Sequence, residues 1–241
     1  MKRALLLLVV LIGMGSMLAQ RPINPRVNNK KVNVAIKTGF NSSIYLISTL
    51  NIAGIEMNEI QNNYKMGYYV SLLTRINFKK HFIQPSLSYN INKSQTNFDY
   101  AEVQNNKSRG SALTPNYASI NSTIHSIDLP FVYGYNFIKK SPYQMCFFVG
   151  PKVRYIWNSK AKFTYENFGG AAIEEDLRPF NIGGVIGVGV SVSNFFFDFT
   201  YEQVFNNISQ SVSLLTAEGE KKPMTFNRRD NVISFSLGVL F

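Results

Sequence analysis

At 241 residues the chain suits a single domain of moderate size, and its one cysteine, Cys146, excludes an intrachain disulfide and a cysteine-based metal cluster. Aromatic residues make up 14% and charged residues only 16%, a balance odd for a soluble domain but natural where an aromatic-rich face meets lipid. The formal charge of +11 points first to nucleic acid, yet no basic helix or aromatic stacking groove accompanies it.

Met1, Lys2 and Arg3 form a charged start, followed by the apolar run ALLLLVVLIGM and small residues up to Ala19. This pattern predicts a secretory signal peptide over 1–19, cleaved between Ala19 and Gln20, then a periplasmic tail over 20–31. The apolar run is short for a spanning helix, and no later stretch of about 18 uninterrupted apolar residues exists. No cysteine follows the leader, which excludes a lipoprotein anchor there.

From residue 32 the pattern changes to period two, the signature of strands. Eight segments approach the 9–11 residues that a tilted membrane-spanning strand needs. The first runs near Val32–Asn41, with Val32, Val34, Ile36, Thr38 and Phe40 on one face. The second lies near Tyr68–Phe78 and the third near Phe82–Ile91. The fourth carries Ile127 through Phe137 on alternate positions, and the fifth carries Tyr143 through Trp157. The sixth has Ile182, Ile186, Val188, Val190 and Val192, and the seventh Phe195, Phe197, Phe199 and Tyr201. The eighth, NVISFSLGVLF, places Ile233, Phe235, Leu237, Val239 and Phe241 on one face and ends on an aromatic, as outer-membrane barrels do.

Volume decides which face is inside. Roughly forty large apolar side chains cannot fit an eight-stranded barrel, whose interior holds its own small side chains or one small ligand. The opposite faces hold glycines, serines and charges, so the apolar face points outward into lipid. Residues 32–241 are therefore predicted to form an all-β, eight-stranded antiparallel transmembrane up-and-down β-barrel.

The connections alternate between short and long. Lys79-Lys80, Phe137 to Tyr143 and Ser193-Asn194 are tight, whereas the stretches near Ser42–Gly67, Lys93–Ile124, Asn158–Pro179 and Gln203–Asn231 are long and polar. That pattern predicts short periplasmic turns, long extracellular loops and both termini in the periplasm. The first long stretch carries Ile44, Ile47, Leu50, Ile55, Met57 and Ile60, too apolar for a solvated loop. It is expected to form a short amphipathic helix, to extend the strands or to bind a partner. The second is rich in Asn and Ser and is expected to be mobile.

Charge follows the same map. Arg21, Arg26, Lys30 and Lys31 in the tail, with Lys79, Lys80, Lys139 and Lys140 in the turns, predict a basic ring at the inner-leaflet headgroups. The expected partners are therefore outer-membrane lipids, with other outer-membrane or secretion-system proteins as candidates, and no nucleic acid. Inside, Lys37, Arg75, Lys152 and Arg154 face Asp128, Asp198 and Glu202 and should pair, because an unpaired buried charge is costly.

Catalytic signals are weak. A hydrolase at the outer rim needs a histidine beside a serine or an acid on the same face. His125 and Ser126 alternate to opposite faces, as do His125 and Asp128, and His81 falls in a turn. GGVIGVGV (183–190) lacks the third glycine of a dinucleotide fingerprint and lies within a strand, where the glycines make room on a crowded inner face. No catalytic residue, cofactor site or metal site is assigned.

Several segments in order carry a family resemblance: Gly39-Phe40-Asn41-Ser42, Ile127-Asp128-Leu129-Pro130, Phe148-Val149-Gly150-Pro151, the glycine-rich sixth strand, and Phe195–Tyr201 followed by Asn206-Asn207-Ile208. With the aromatic end, the chain resembles the PorT-like outer-membrane β-barrel family of Gram-negative bacteria. The resemblance implies an eight-stranded barrel without a known catalytic residue, and some members are linked to type IX secretion and gliding. Three functions compete: a non-enzymatic barrel that anchors or scaffolds partners, with an accessory of type IX secretion as its finer form; a narrow pore or small-ligand-binding barrel; and an outer-membrane hydrolase. The sequence favours the first.

Overall fold

A computed structural model describes residues 30–52, 55–56, 61–99, 117–140, 142–157, 161–166, 172–215 and 221–241. The expected signal peptide and most of the tail lie outside the described residues. Eight long strands carry the fold: β1 (Val32–Ile52), β2 (Met66–Phe78), β3 (His81–Asp99), β4 (Tyr117–Lys140), β5 (Tyr143–Ile156), β6 (Phe180–Val192), β7 (Phe195–Val204) and β8 (Lys221–Leu240). Each pairs antiparallel with its neighbour in sequence, from β1–β2 to β7–β8. A last antiparallel ladder, from Ala35↔Leu240 to Ile52↔Met224, joins β1 to β8 and closes the ring. Among the described residues, the ring of eight strands then leaves no edge of its own toward lipid, as a bilayer requires.

Alternation sorts the side chains as expected. On β2, Tyr68, Val70, Leu72 and Phe78 point outward while Tyr69, Ser71, Leu73 and Arg75 are buried in the lumen. Phe131 and Phe137 on β4, Ile186 and Val188 on β6, and Phe235 and Leu237 on β8 continue the outward band. Aromatic residues border it at both ends, with Phe78, Phe137 and Tyr143 toward the short turns and Tyr68, Tyr155, Trp157 and Phe180 toward the long connections. Tyr143 and Tyr155 lie about 40 Å apart along β5 at ~3.3 Å per residue. At a tilt of ~40° that is roughly 30 Å along the normal, the thickness of a hydrocarbon core.

The turns are tight. Lys79 and Ser193 adopt φ of 55° and 56°, the left-handed region that two-residue hairpins need. Asn194 secures its turn by donating from Nδ2 to Leu240 O at 2.9 Å.

The long polar stretches depart from expectation. Most of their described residues are strand rather than loop. β1 runs on through Ile52, so over Ser42–Ile52 the apolar first stretch extends the strand, one of the three expectations, while Met57 and Ile60 lie outside the described residues. β3 and β4 stay paired from Lys93↔Thr123 to Asp99↔Tyr117, so the stretch expected to be mobile is an ordered ladder at both ends, while 100–116 lie outside the described residues. Short strands flank it, Gln61–Tyr64 on β3 and Lys162–Glu166 on β4. Ala172–Leu177 pairs with Ser209–Leu215, which in turn pairs with the start of β8. The reason is local: several inward residues of these extensions are polar, and some of them bond one another. Ser94 and Ser122 lie 2.6 Å apart, and Tyr45 Oη lies 2.8 Å from Ser122 Oγ. Apolar periodicity fades there, yet the ladder continues.

Three adjacent strands carry a proline within the band. A proline nitrogen has no hydrogen to donate, and proline is ordinarily kept to sheet edges. The register lapses at each: Thr74–Arg75 against Gln84–Pro85, Ser86–Leu87 against Leu129–Pro130, and Phe131–Val132 against Gly150–Pro151.

Candidate functional site: a filled lumen

The lumen is built in three layers. Nearest the short turns, inward Phe82, Phe148 and Phe196 are buried. Each lies in register opposite a glycine of the next strand: Gly134, Gly187 and Gly238. A Cβ at any of the three would overlap the facing ring, so glycine there is a notch for a phenyl group. Arg75 sits among the rings, its guanidinium carbon 4.6 Å from the Phe82 centroid and 5.3 Å from that of Phe196. Its Nε donates to Gln84 Oε1 at 2.8 Å. The sequence placed Arg75 in an ion pair; cation–π contact and an amide hold it instead, while Asp198, also near this level, pairs with Lys37. Ala35, Leu73 and Leu240 pack against Phe196, while Val132, Cys146 and Val185 pack with Phe82 and Phe148.

The middle layer is ionic. Asp128 on β4 and Arg154 on β5 are register partners. Arg154 Nε lies 3.1 Å from both Asp128 oxygens, and its Nη2 lies 3.4 Å from Glu202 Oε2 on β7. Its Nη1 donates to Asp230 on β8, across the lumen. Lys152 Nζ donates to Asp128 Oδ2 at 2.9 Å and also to Glu202. Lys37 on β1 bonds Asp198 on β7 at 3.2 Å, passing over the strand position that Gly238 leaves open. The expected pairing of Lys37, Lys152 and Arg154 with Asp128, Asp198 and Glu202 is therefore what the lumen contains. Asp230 went unassigned in the sequence, because apolar alternation begins only after it and hides that β8 starts at Lys221.

Beside this network lies a polar cavity of about 30 Å³, lined among others by Lys37, Tyr69, Gln84, Ser86, Pro130 and Glu202. At about 10–15 Å³ per water it holds a few water molecules, not a solute.

The layer toward the long connections is apolar again. Tyr45, Ile124, Ile156, Leu177, Val204 and Ile208 form one buried cluster, with Ile47, Ala161 and Phe163 packed against it. Arg228 is buried within this layer, its guanidinium carbon 4.5 Å from the Tyr45 ring and 4.6 Å from that of Phe226. Its Nη2 donates to Glu175 Oε1 at 2.6 Å, tying the strand Ala172–Leu177 down over the mouth. Ser209 Oγ donates to the same carboxylate oxygen at 2.7 Å.

The residues weighed for catalysis stay apart. His125 lies on the outer side, its Nδ1 2.7 Å from Tyr89 Oη, while Ser126 is buried inside and donates to Asp128 Oδ1 at 2.9 Å. His81 stacks on Tyr133 near the short turns. Cys146 is buried in the lumen, and three glycines of β6 face inward, Gly187 against Phe148 and Gly189 beside Asp198 and Cys146, with Gly183 also buried. Gly184, expected inside, faces outward beside Phe205 because it shares the parity of Ile182 and Ile186. Among the described residues, no group of three His, Cys, Asp or Glu side chains is placed to hold a metal ion.

The comparisons agree with this architecture. No curated protein matches the sequence. Among solved structures, the outer membrane protein OprG of Pseudomonas aeruginosa superposes with a TM-score of 0.55 at 12% identity, covering 88% of this chain and 97% of its own. Neisserial surface protein A gives a TM-score of 0.39 at 12% identity, over 88% of this chain and 98% of its own. OprG supports the fold alone: an antiparallel up-and-down outer-membrane barrel. A family model described as the outer membrane protein beta-barrel domain matches residues 18–210, and with most of the ring inside that match the chain belongs to this family of bacterial outer-membrane barrels.

Proposed function

We propose that this chain is a non-enzymatic outer-membrane barrel that serves as a scaffold and docking protein rather than as a channel. The observation that carries the reading is the filled lumen. A phenyl layer, an ion network and an apolar cap follow one another along it. Eight strands leave little room for a water column, and these side chains take what room there is. A hydrolytic reading finds no support, since His125 and Ser126 occupy opposite faces of the wall.

Partner binding draws support from the mouth. Among the described residues, Gln61–Tyr64, Lys162–Glu166 and Ala172–Leu177 each pair on one side only, leaving backbone donors and acceptors along the other. Such edges can take up an added strand. In this reading the leader over 1–19 exports the chain, the short turns and both termini face the periplasm, and the extended strands face outward. The resemblance to the PorT-like family makes an accessory role in type IX secretion the finer proposal.

Planar-bilayer recording tests the sealed lumen: the purified protein gives no conductance steps, and regular steps would overturn the reading in favour of a narrow pore. In-cell crosslinking, beside deletion of the gene, tests the docking role. Captured envelope proteins together with loss of secreted cargo support it, and a lone barrel with unchanged secretion removes it.

A further inference from the structure

Among the described residues, the basic residues of the short-turn rim form an arc rather than a full ring; Arg21 and Arg26 of the expected ring lie outside the described residues. Lys30 and Lys31 precede β1, Lys79 and Lys80 turn from β2 into β3, and Lys139 and Lys140 end β4. These three pairs sit on neighbouring strands and are stitched together through backbone groups. Asn77 N donates to Lys31 O at 2.7 Å, Asn136 N donates to Lys80 O at 2.7 Å, and Lys139 Nζ donates to Lys79 O at 2.8 Å. Among the described residues, the other side of the same rim, over β6–β8, presents Ser193, Asn194 and Phe241 and no lysine or arginine. Across this rim, from 30–31, 79–80, 139–140 and 193–194, there is no acidic residue to neutralise the arc.

Depth identifies what the arc can touch. The lysines follow directly on the aromatic border, Phe78 before Lys79 and Phe137 two positions before Lys139. Two-residue turns do not project far beyond a membrane, so the ammonium groups lie at headgroup level, with their stems able to snorkel along the border. Adjacent strands are about 4.8 Å apart, so the arc from β1 to β5 is roughly 20 Å long. A delocalised lipid atmosphere calls for no such one-sided arrangement.

We propose that this arc is a one-sided binding surface for the phosphate groups of anionic glycerophospholipids, which fixes the rotational setting of the barrel toward an anionic lipid patch. It rests on the membrane-barrel reading, and on the orientation proposed above for the leaflet involved. Each lysine near an anionic surface contributes about fivefold in lipid association, the equivalent of about 1 kcal/mol.

The full chain is folded into phosphatidylcholine bilayers carrying spin-labelled phosphatidylglycerol or spin-labelled phosphatidylcholine, and the motionally restricted fraction of each is compared. Several-fold preference for phosphatidylglycerol is expected, lost at high salt and lost in K79Q/K80Q/K139Q/K140Q. The charge-preserving K79R/K80R/K139R/K140R keeps it. Moving the charge to the other side, with S193K/N194K added to the glutamine variant, restores headgroup preference only in part, because two lysines replace a contiguous set. Heat-modifiable gel migration of each variant confirms that the barrel has folded and so separates a failed barrel from a failed arc. Equal preference in wild type and the glutamine variant overturns the proposal. So does unchanged lipid preference combined with loss of a crosslinked periplasmic protein, which would make the arc a protein-docking surface. Accessibility of a tag in the long connections to externally added protease reports the orientation independently.

Discussion

Replacing Arg154 by methionine is the sharpest test of the interior. The guanidinium bridges Asp128, Glu202 and Asp230, so it ties β4, β5, β7 and β8 across the lumen. In R154M, Lys152 still pairs with Asp128 and Glu202, but Asp230 loses its ion-pair partner; its Oδ1 is already without a hydrogen bond in the protein. Removing one member of a buried ion network costs about 3–5 kcal/mol, chiefly because the remaining charge stays desolvated. At 1.36 kcal/mol per decade this is about 150- to 5,000-fold in the unfolding constant. Most of that loss belongs to the stranded carboxylate, so R154M/D230L should recover about 1–3 kcal/mol relative to the sum of the single variants. Well-packed apolar replacements for a buried pair can even be neutral. Reversible urea unfolding in phospholipid vesicles reads the difference through Trp157, the chain's only tryptophan, whose backbone N donates to His125 O at 2.9 Å. A loss below about 1 kcal/mol in R154M, or strict additivity of R154M and D230L, refutes the cross-brace.

Gly187→Val drives a branched side chain into the Phe148 ring and should lower stability by about 1–3 kcal/mol, with F148A in the same chain recovering part of it; urea midpoints decide. Arg228→Ala removes the tie to Glu175, so hydrogen exchange in Ala172–Leu177 should quicken while β5 stays protected. Equal loss of protection in both would show that Arg228 supports the whole barrel instead. Pro130→Val supplies an N–H where the β3–β4 register lapses and should stabilise by about 0.5–1.5 kcal/mol. Unchanged stability would mean that water in the adjoining cavity already serves Ser86 O.

The band that meets lipid was legible residue by residue, because alternation between large apolar and small or polar side chains survives wherever one face touches hydrocarbon. Volume then told inside from outside. Lys37, Lys152, Arg154, Asp128, Asp198 and Glu202 could be placed for the same reason. What resisted was whatever broke the two-letter pattern. Phe82, Phe148 and Phe196 are large and apolar yet point inward, and only the glycine one strand away on each register line explains them. Register is a property of pairing, and period two within a single strand does not encode it. Beyond the first stretch, where extension was among the expectations, the strand extensions were hidden because Ser94, Thr96 and Ser122 alternate as inward polar residues. The hydrophobic signal vanishes there, while the hydrogen-bond ladder persists.

Filling the lumen has a consequence for where specificity can reside. The lipid face is a nearly uniform apolar band, and the interior is filled by side chains, so neither offers a distinctive surface to a partner. That leaves the two rims, and they differ in kind. Among the described residues, the long-connection rim offers unpaired strand edges over a cap pinned by Arg228 and Glu175, a surface defined by shape and backbone. The short-turn rim offers, among the described residues, charge on one side and none on the other. Interior substitutions should therefore act through stability, altering unfolding midpoints and folded yield together. Substitutions at either rim should change association while leaving the unfolding midpoint in place. A variant such as R154M that lost a partner while keeping wild-type stability would break this division, because it would require the lumen itself to be a binding site.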